Sequence, residues 1–257
     1  EDASSIYRVP LNMQAEHLDE VVLEKTGFDL SKVKKADMTD WNAFLQKLES
    51  ATAPVRIALV GKYVQLQDAY KSIQESLTHA AAYSDHKLIL TSILSDDITS
   101  DNIASLLEGQ QGIVVAPGFG NRGVEGKFIA LKYARENNIP CLGICMGMQA
   151  MVIEFARNVL GYKDANSMEF DERTKHNVID MMDDQKTMIN KGASMRLGAY
   201  PCRLKQGTKA AEIYQSGLIA ERHRHRYEFN HKYQAEFEAA GMCCSGTNPD
   251  SGLVEII

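Results

Sequence analysis

The residue types and spacing best suited to chemistry lie at Gly143–Gly147, where the sequence reads GICMG. This is the spacing of a G-x-S-x-G nucleophile elbow, with Cys145 in place of the serine. An apolar stretch precedes it and a helical pattern follows, which is the strand–turn–helix context of an elbow. The positive end of that helix favours a thiolate, and the N–H of Met146 would face a developing oxyanion. The alternative is a buried structural cysteine, because cysteine is among the most buried residue types.

A glycine-rich loop, PGFGNRG at Pro117–Gly123, follows another apolar stretch. In a parallel sheet the carboxyl ends of the strands share one edge, so we expect this loop to lie close to the elbow. Gly118 would then offer a second backbone N–H to an oxyanion. An ordinary glycine-rich turn explains the loop equally well. The G-x-G-x-x-G spacing of a dinucleotide-binding loop is absent.

A basic run, RHRHR, occupies Arg222–Arg226. Taken alone it predicts a solvated face, the usual place of such charges. His223 and His225 could also bind a metal, but no third ligand stands out in the sequence. Glu169, taken alone, would be a surface carboxylate.

The elements that must position these residues alternate from Val55 onward. Short apolar strands alternating with helices indicate βαβ units and a mostly parallel sheet. We therefore predict an α/β fold, a flavodoxin-like three-layer sandwich. The predicted strands are Val55–Gly61, Leu88–Leu94, Gly112–Val115 and Pro140–Ile144; the predicted helices are Asp68–Ser84, Ser100–Glu108, Gly126–Asn137 and one from Gly147. Beyond Asn158 the pattern loosens, with strands expected at Asn177–Met182, Met195–Leu197 and Leu253–Ile257.

The first 54 residues have a different pattern from the rest. Ser5–Pro10 reads as a short extended segment ended by proline, and Val21–Thr26 as a short helix. Apolar residues from Trp41 to Leu48 recur at helical spacing before a break at Ala51–Pro54. We therefore predict a boundary between residues 1–54 and 55–257.

Composition excludes several function classes. The 257 residues carry a formal net charge of -6, which gives no electrostatic footprint for nucleic acid or an anionic membrane. No apolar run approaches the roughly 18 residues of a membrane helix, and the first residues do not resemble a secretory signal. Five scattered cysteines form neither a disulfide framework nor a paired C-x-x-C metal site. Free thiols favour a reducing compartment, so we expect a cytoplasmic protein.

Together these motifs resemble the class I glutamine amidotransferases and, among them, the CTP synthase family. The resemblance covers Val55–Ile257, and SIYRVP at Ser5–Pro10 is similar to the end of that family's synthetase domain, so residues 1–54 would be its tail plus a linker. The motifs that carry it are VGKY (60–63), DAYKS (68–72), GFGNRGVEG (118–126), LGICMGMQ (142–149), DANSMEF (164–170), MRLG (195–198) and ERHRHRYE (221–228).

The resemblance implies a role for each matching residue. Cys145 would attack the side-chain amide of glutamine, and Gly118 and Met146 would form the oxyanion hole. The resemblance also implies coupling to GTP through Arg122, Glu125 and Arg196. The residues implied in glutamine binding are Gly118, Phe119, Met146, Gly147, Met148, Gln149, Glu169 and Arg226.

The resemblance also implies partners outside this chain. The full enzyme would use ATP, Mg²⁺ and allosteric GTP, would pass ammonia to its synthetase domain and would assemble as a homotetramer. No metal or cofactor is expected in this chain itself. The family's QFHPEF-type motif, which supplies a histidine base and a glutamate, has no counterpart up to Ile257. We therefore expect the natural protein to continue past Ile257.

Two alternatives stay open at this point. One is a catalytically silent fragment or regulatory module of the same fold, which the absent base favours. His223 and His225 match a different part of the family pattern and are poor substitutes for that base. The other is an elbow-cysteine hydrolase of another family with a similar fold, against which the motifs around Glu169 and Arg226 argue.

Overall fold

The elbow is carried by a four-stranded sheet. Its strands are Ala53–Gly61 (β1), His86–Leu94 (β2), Gly112–Val115 (β3) and Cys141–Gly143 (β4), in the order β2-β1-β3-β4. The β1–β3 and β3–β4 pairs are parallel, which confirms the predicted parallel sheet. All four residues of β3 are buried, as expected for a strand covered on both faces. The structure is a computed structural model and describes residues 2–66, 68–181 and 195–257.

Two smaller sheets follow along the chain. Their strands are Asn166–Ser167 (β5), Asn177–Met181 (β6), Arg196–Leu204 (β7), Leu218–His225 (β8), Tyr227–Phe229 (β9), Gly246–Thr247 (β10) and Val254–Ile256 (β11). One sheet is antiparallel, in the order β11-β10-β7-β8, and the other has the order β5-β6-β9. The α-helices that the structure describes are Val9–Ala15 (α1), Leu18–Lys25 (α2), Thr39–Ser50 (α3), Lys71–Tyr83 (α4), Ile103–Leu106 (α5), Val124–Glu136 (α6), Met146–Asn158 (α7), Lys209–Tyr214 (α8) and Gln234–Ala239 (α9). None of these helices is long and apolar enough to cross a membrane.

Contacts divide the chain into two units. The first comprises Glu1–Val55 with Ser72–Ile89, and the second comprises Arg56–Lys71 with Leu90–Ile257. The predicted domain boundary after residue 54 therefore stays a prediction, because the contact division also assigns a later segment to the first unit.

The first unit is organised around the ring of Tyr7. That ring makes edge contacts with Phe44 and His79, at centroid distances of 5.2 and 5.4 Å. The indole Nε1–H of Trp41 donates to the carbonyl oxygen of Tyr7 at 2.8 Å, and the Tyr7 hydroxyl donates to Glu75. These contacts join the segment before α1 to α3 and α4 through one aromatic cluster.

One prediction in this unit was wrong. Ser5–Pro10 is not extended: Ile6–Arg8 forms a 3-10 helix and α1 follows directly, with Pro10 in its first turn. A proline is tolerated there because the first N–H groups of a helix have no partner within the helix. A proline in the sequence can therefore mark either the end of an extended segment or the first turn of a helix.

Several predicted bounds also moved. The helix predicted at Asp68–Ser84 begins at Lys71, and the one predicted at Ser100–Glu108 shortens to Ile103–Leu106. The strand predicted at Met195–Leu197 runs from Arg196 to Leu204, because residues 196–203 pair with β8. Met182, the last residue of another predicted strand, lies outside the described residues.

The second unit contains the main core, where α6 and α7 pack together. Between the two helices lies one buried carboxylate, Glu154, whose side chain is 3% exposed. Arg135 donates to it from Nε and Nη2 at 2.7 to 3.2 Å, and the Asn158 amide adds a further bond at 3.1 Å. A buried carboxylate needs such partners, because water no longer solvates it.

We predict that Arg135→Met lowers the free energy of unfolding by about 2–4 kcal/mol, because it leaves Glu154 buried without its cation. Urea denaturation measures this loss. Lys132→Met is the matched control on the same helix: Lys132 pairs with Glu136 on the surface at 3.7 Å, and such pairs contribute at most about 1 kcal/mol. Equal losses in both variants would contradict the interpretation.

Candidate active site

Cys145 lies on a strained turn between β4 and α7. Its backbone angles are φ 57° and ψ -111°, a region that side chains with a Cβ rarely adopt. The two glycines of the elbow are required by close approach: a Cβ on Gly143 would lie 2.5 Å from the carbonyl carbon of Gly147, and a Cβ on Gly147 would lie 2.2 Å from the carbonyl oxygen of Val115. Strain of this kind is found mostly at functional sites.

Opposing effects act on the pKa of the Cys145 thiol. Burial, the largest effect, raises the pKa of the Cys145 thiol, while hydrogen bonds from the N–H groups of Met146 and Gly118 lower it. The negative charges of Glu228 and Glu169 raise the pKa of the same thiol. The site therefore has donors for a negative atom, but its surroundings favour the neutral thiol until a base removes the proton.

A small pocket opens at the elbow. It brings together residues that are far apart in the sequence, from the elbow, the glycine-rich loop, the segment after β5 and the basic run. The lining residues are Gly118, Phe119, Cys145, Gln149, Glu169, Arg224, His225, Arg226 and Tyr227. The remaining residues of the predicted glutamine set, Met146, Gly147 and Met148, form the first turn of α7 beside it.

Glu169 is fixed in the pocket by the glycine-rich loop. Its Oε1 accepts a hydrogen bond from the N–H of Gly120 at 2.6 Å, and its own N–H donates to Ser167 Oγ at 3.1 Å. The carboxylate and the loop that carries Gly118 are thus joined directly. This position differs from the surface location that the residue alone would predict.

The basic run is not a solvated face throughout. Strand alternation in β8 buries His223 and leaves Arg222 and Arg224 exposed, with the Arg224 guanidinium 5.7 Å from the centre of the Phe119 ring. Arg226 follows β8 and lines the pocket. The side chain of Gln149, on α7, donates to the carbonyl oxygen of Tyr227 at 2.8 Å, which ties the end of the run to the elbow helix.

The three residues suggested for GTP coupling lie in different surroundings. Arg122 pairs with Asp96 at 2.9 Å and stacks over Tyr63, whereas Glu125 is exposed and contacts Arg157 at 3.2 Å. Arg196 is buried. Their role in coupling to GTP stays a prediction.

Arg196 is the centre of a buried ion cluster that includes His225, one of the residues lining the pocket. Its guanidinium donates to Glu228 at 2.8 Å and to Glu255 at 2.7 Å. His223 Nδ1 lies 3.3 Å from Glu255 and 3.1 Å from His225 Nδ1. Burial, the largest cause, lowers the pKa of both histidines, and the charge of Arg196 lowers each further.

Two residues near the elbow were not identified from the sequence. Lys62 and Lys127 are buried beside the glycine-rich loop, at 4% and 0% exposure. A usable signal did exist for Lys127, since it lies among the apolar positions of α6 with Val124, Phe128 and Leu131. A lysine within an apolar helix face is unusual enough to mark a site.

Comparison with known proteins identifies the family. The model of the family "Glutamine amidotransferase class-I" matches residues 65–257. The chain belongs to the class I glutamine amidotransferase family. This membership confirms the predicted α/β fold class. It also confirms the resemblance to class I glutamine amidotransferases that was inferred from the sequence motifs.

Within the class I glutamine amidotransferases, this chain is similar to curated CTP synthases. The chain is 56% identical over 256 residues to the CTP synthase of Bacteroides fragilis, and matches that of Porphyromonas gingivalis at the same identity over 256 residues. It is 51% identical over 257 residues to the CTP synthase of Lactiplantibacillus plantarum. All three alignments cover 100% of this chain but only 47–48% of the relative, so the chain spans about half the length of the curated relatives it matches.

A solved structure of this amidotransferase family shows the same fold. It is described as the glutaminase domain of Trypanosoma brucei CTPS with bound acivicin. The TM-score is 0.72 at 39% sequence identity, and the alignment covers 78% of each chain. Within the residues described for the present chain, no group of three or more His, Cys, Asp and Glu could hold a metal ion.

The buried cluster around Arg196 generates a prediction about pH. Burial, the largest cause, raises the pKa of Glu228 to about 7 in the folded protein, despite the neighbouring Arg196. An unfolded glutamate titrates at about 4.3, so the folded state binds more protons between these two values. The free energy of unfolding should therefore fall by about 1–3 kcal/mol as pH rises from about 4.5 to 7.

Glu228→Gln should remove this contribution to the pH dependence. The amide keeps an oxygen for Arg196 but does not titrate in this range. Chemical denaturation of both proteins at a series of pH values measures the difference. Glu212→Gln, at an exposed carboxylate, is the control and should follow the unsubstituted protein. Parallel curves for Glu228→Gln and the unsubstituted protein would contradict the raised pKa.

Proposed function

We propose that this chain hydrolyses L-glutamine through a thioester on Cys145 and releases ammonia. The observation that carries the proposal is a cysteine on a strained strand–helix turn, where burial raises the thiol pKa and the backbone N–H groups of Gly118 and Met146 lower it. Donors at that position are suited to the oxyanion of an acyl-transfer intermediate. The Trypanosoma brucei relative, 39% identical, has acivicin bound in the corresponding domain.

In the proposed reaction, the Cys145 thiolate attacks the amide carbon of the glutamine side chain. The carbonyl oxygen becomes an oxyanion and accepts hydrogen bonds from Gly118 and Met146. The C–N bond then breaks, the nitrogen takes a proton and leaves as ammonia, and a glutamyl thioester remains. Water hydrolyses the thioester, which releases glutamate and restores the thiol.

We propose that the pocket recognises both charged groups of free glutamine. The Arg226 guanidinium can clamp the α-carboxylate through two parallel hydrogen bonds. Glu169, fixed by the N–H of Gly120, can pair with the α-ammonium. Gln149 and the backbone from Gly118 to Phe119 and from Met146 to Met148 complete the binding surface.

The proton acceptor for Cys145 is assigned only from the resemblance to the CTP synthase family. The buried thiol needs a base, and a positioned base contributes about 10²–10⁴-fold to rate. In the family this is the histidine of a QFHPEF-type motif, which residues 1–257 do not contain. His225 lines the pocket with Cys145, but its lowered pKa and its contacts with His223 and Glu228 fit the ion cluster better.

For the whole protein we propose the reaction named for its relatives, the synthesis of CTP. Ammonia from Cys145 would aminate UTP, activated by ATP and Mg²⁺, in the synthetase domain to which residues 1–54 would connect. GTP would act through Arg122, Glu125 and Arg196, and the enzyme would be a cytoplasmic homotetramer. The cysteines are free in the structure, which agrees with a reducing compartment.

A chloroketone derived from glutamine should alkylate Cys145 selectively. Its carbonyl oxygen enters the oxyanion position, so the reaction should be at least about tenfold faster at Cys145 than at the exposed Cys243, and free glutamine should slow it. Peptide mass spectrometry before and after exposure measures both rates. Arg226→Ala should lower the labelling rate by about tenfold at low reagent concentration, because the carboxylate clamp is lost.

Cys145→Ser is the control for the site of labelling and should take up no adduct there. Equal labelling of Cys145 and Cys243, with no protection by glutamine, would contradict the proposed pocket. That result would favour a silent module with the fold of a glutamine amidotransferase.

A further inference from the structure

Two lysines that the proposed mechanism does not use are buried next to the glycine-rich loop. Lys62 is 4% exposed and Lys127 is fully buried. Lysine is almost never this buried unless its ammonium has partners, because removing a charge from water is costly. The partners of these two lysines are carbonyl oxygens of one short segment, Ala116–Gly120.

Lys62 follows β1, and its side chain contacts the end of the Ala116–Gly120 segment. Its ammonium donates to the carbonyl oxygen of Phe119, and to that of Gly120 at 3.3 Å. Its side chain also passes close to Gly118, since a Cβ placed on that glycine would lie 3.0 Å from Lys62 Cε. Lys62 thus lies against three successive residues of the loop.

Lys127 reaches the beginning of the same segment from α6. Its ammonium donates to the carbonyl oxygen of Ala116 at 2.7 Å and lies 3.7 Å from the sulfur of Met146. One side chain therefore contacts both segments that supply the oxyanion donors. It contacts Ala116, two residues before Gly118, and Met146 at the start of α7.

The hydrogen bonds fix whole peptide groups, because a peptide is planar and its C=O and N–H point in opposite directions. The peptide between Phe119 and Gly120 is held at both ends: its carbonyl oxygen accepts from Lys62, and its N–H donates to Glu169 at 2.6 Å. The peptide between Ala116 and Pro117 is held by Lys127. The N–H of Gly118, which faces the Cys145 sulfur, lies between these two fixed peptides.

We propose that Lys62 and Lys127 are positioning residues that hold the Ala116–Gly120 loop by its carbonyl oxygens and keep the Gly118 N–H aimed at Cys145. This rests on the proposed function of Cys145 as the nucleophile. The positive charge of the two ammonium groups also favours the thiolate of Cys145 over its thiol.

The charges that face this site act in both directions. Burial, the largest cause, lowers the pKa of Lys127 to about 8; the charge of Lys62 lowers it further and that of Cys145 raises it. Lys127 therefore remains mainly protonated at pH 7. Glu228 and Glu169 oppose ionisation of Cys145. The charge of Lys127, which interacts favourably with that of Cys145, acts against these two carboxylates.

The test is the pH dependence of alkylation of Cys145 by iodoacetamide, a small neutral reagent that does not need the glutamine pocket. Lys62→Met and Lys127→Met remove the charge and the donor while keeping most of the side-chain volume. In each variant the pH of half-maximal rate should rise by about one unit, and the rate at pH 7 should fall about tenfold. Peptide mass spectrometry follows Cys145 among the five cysteines.

Lys132→Met is the matched control, on an exposed position of the same helix as Lys127, and should leave the profile unchanged. Thermal unfolding of each variant verifies its fold. A purely structural role would lower the unfolding temperature without moving the pH of half-maximal rate. An unchanged profile in folded Lys62→Met and Lys127→Met would overturn the proposal, as would an equal shift in Lys132→Met.

Lys62→Gln and Lys127→Gln provide a second pair if the methionine variants do not fold, since glutamine keeps a neutral donor for the loop carbonyls. A raised pH of half-maximal rate in these variants supports the proposal; an unchanged one, or failure of all four variants to fold, overturns it. The outcome is separable from that of the proposed function. Labelling of Cys145 by the glutamine chloroketone tests glutamine recognition, and the iodoacetamide profile tests the lysines.

Discussion

The active site is built on one close backbone approach, between α7 and β3. The first turn of α7 lies so near to β3 that a methyl group on Gly147 would collide with the carbonyl oxygen of Val115. This approach forces the strained backbone of Cys145 and places the N–H of Met146 next to the sulfur. The chain reverses direction in a few residues, and the nucleophile is held above the carboxyl edge of the sheet. The strained turn persists because the packed core holds β3 and β4 in place.

Around this elbow the protein balances burial against directed polar groups. Burial alone would keep Cys145 as a thiol, and the carboxylates of Glu169 and Glu228 add to that preference. The opposing groups are backbone donors from Gly118 and Met146 and the positive charge of Lys127, which the interior holds at fixed distances. Such preorganised donors are most effective where water is excluded. The same burial explains why Arg196 is surrounded by two carboxylates, since an isolated guanidinium would be unstable there.

The sequence was sufficient for the parts of the site that local pattern determines. The elbow at Cys145 and the loop at Gly118 follow apolar strands whose parallel pairing brings them to one edge, and the structure has both there. Glu169 and Arg226 were assigned only by resemblance, because they come from small sheets whose pairing is not visible in any local period. The buried lysines were absent from the prediction because lysine is normally a surface residue. Ser5–Pro10 was misassigned because proline is compatible with both an extended segment and the first turn of a helix.

The central claim is that the N–H groups of Gly118 and Met146 together bind the oxyanion formed at Cys145. Diffraction from crystals of the chain carrying the glutamine chloroketone on Cys145 tests it most directly, because the ketone oxygen of the adduct marks the oxyanion position. The account predicts that this oxygen lies about 2.7–3.1 Å from both backbone nitrogens. An oxygen that points away from Gly118, with the loop N–H turned from the sulfur, would contradict it.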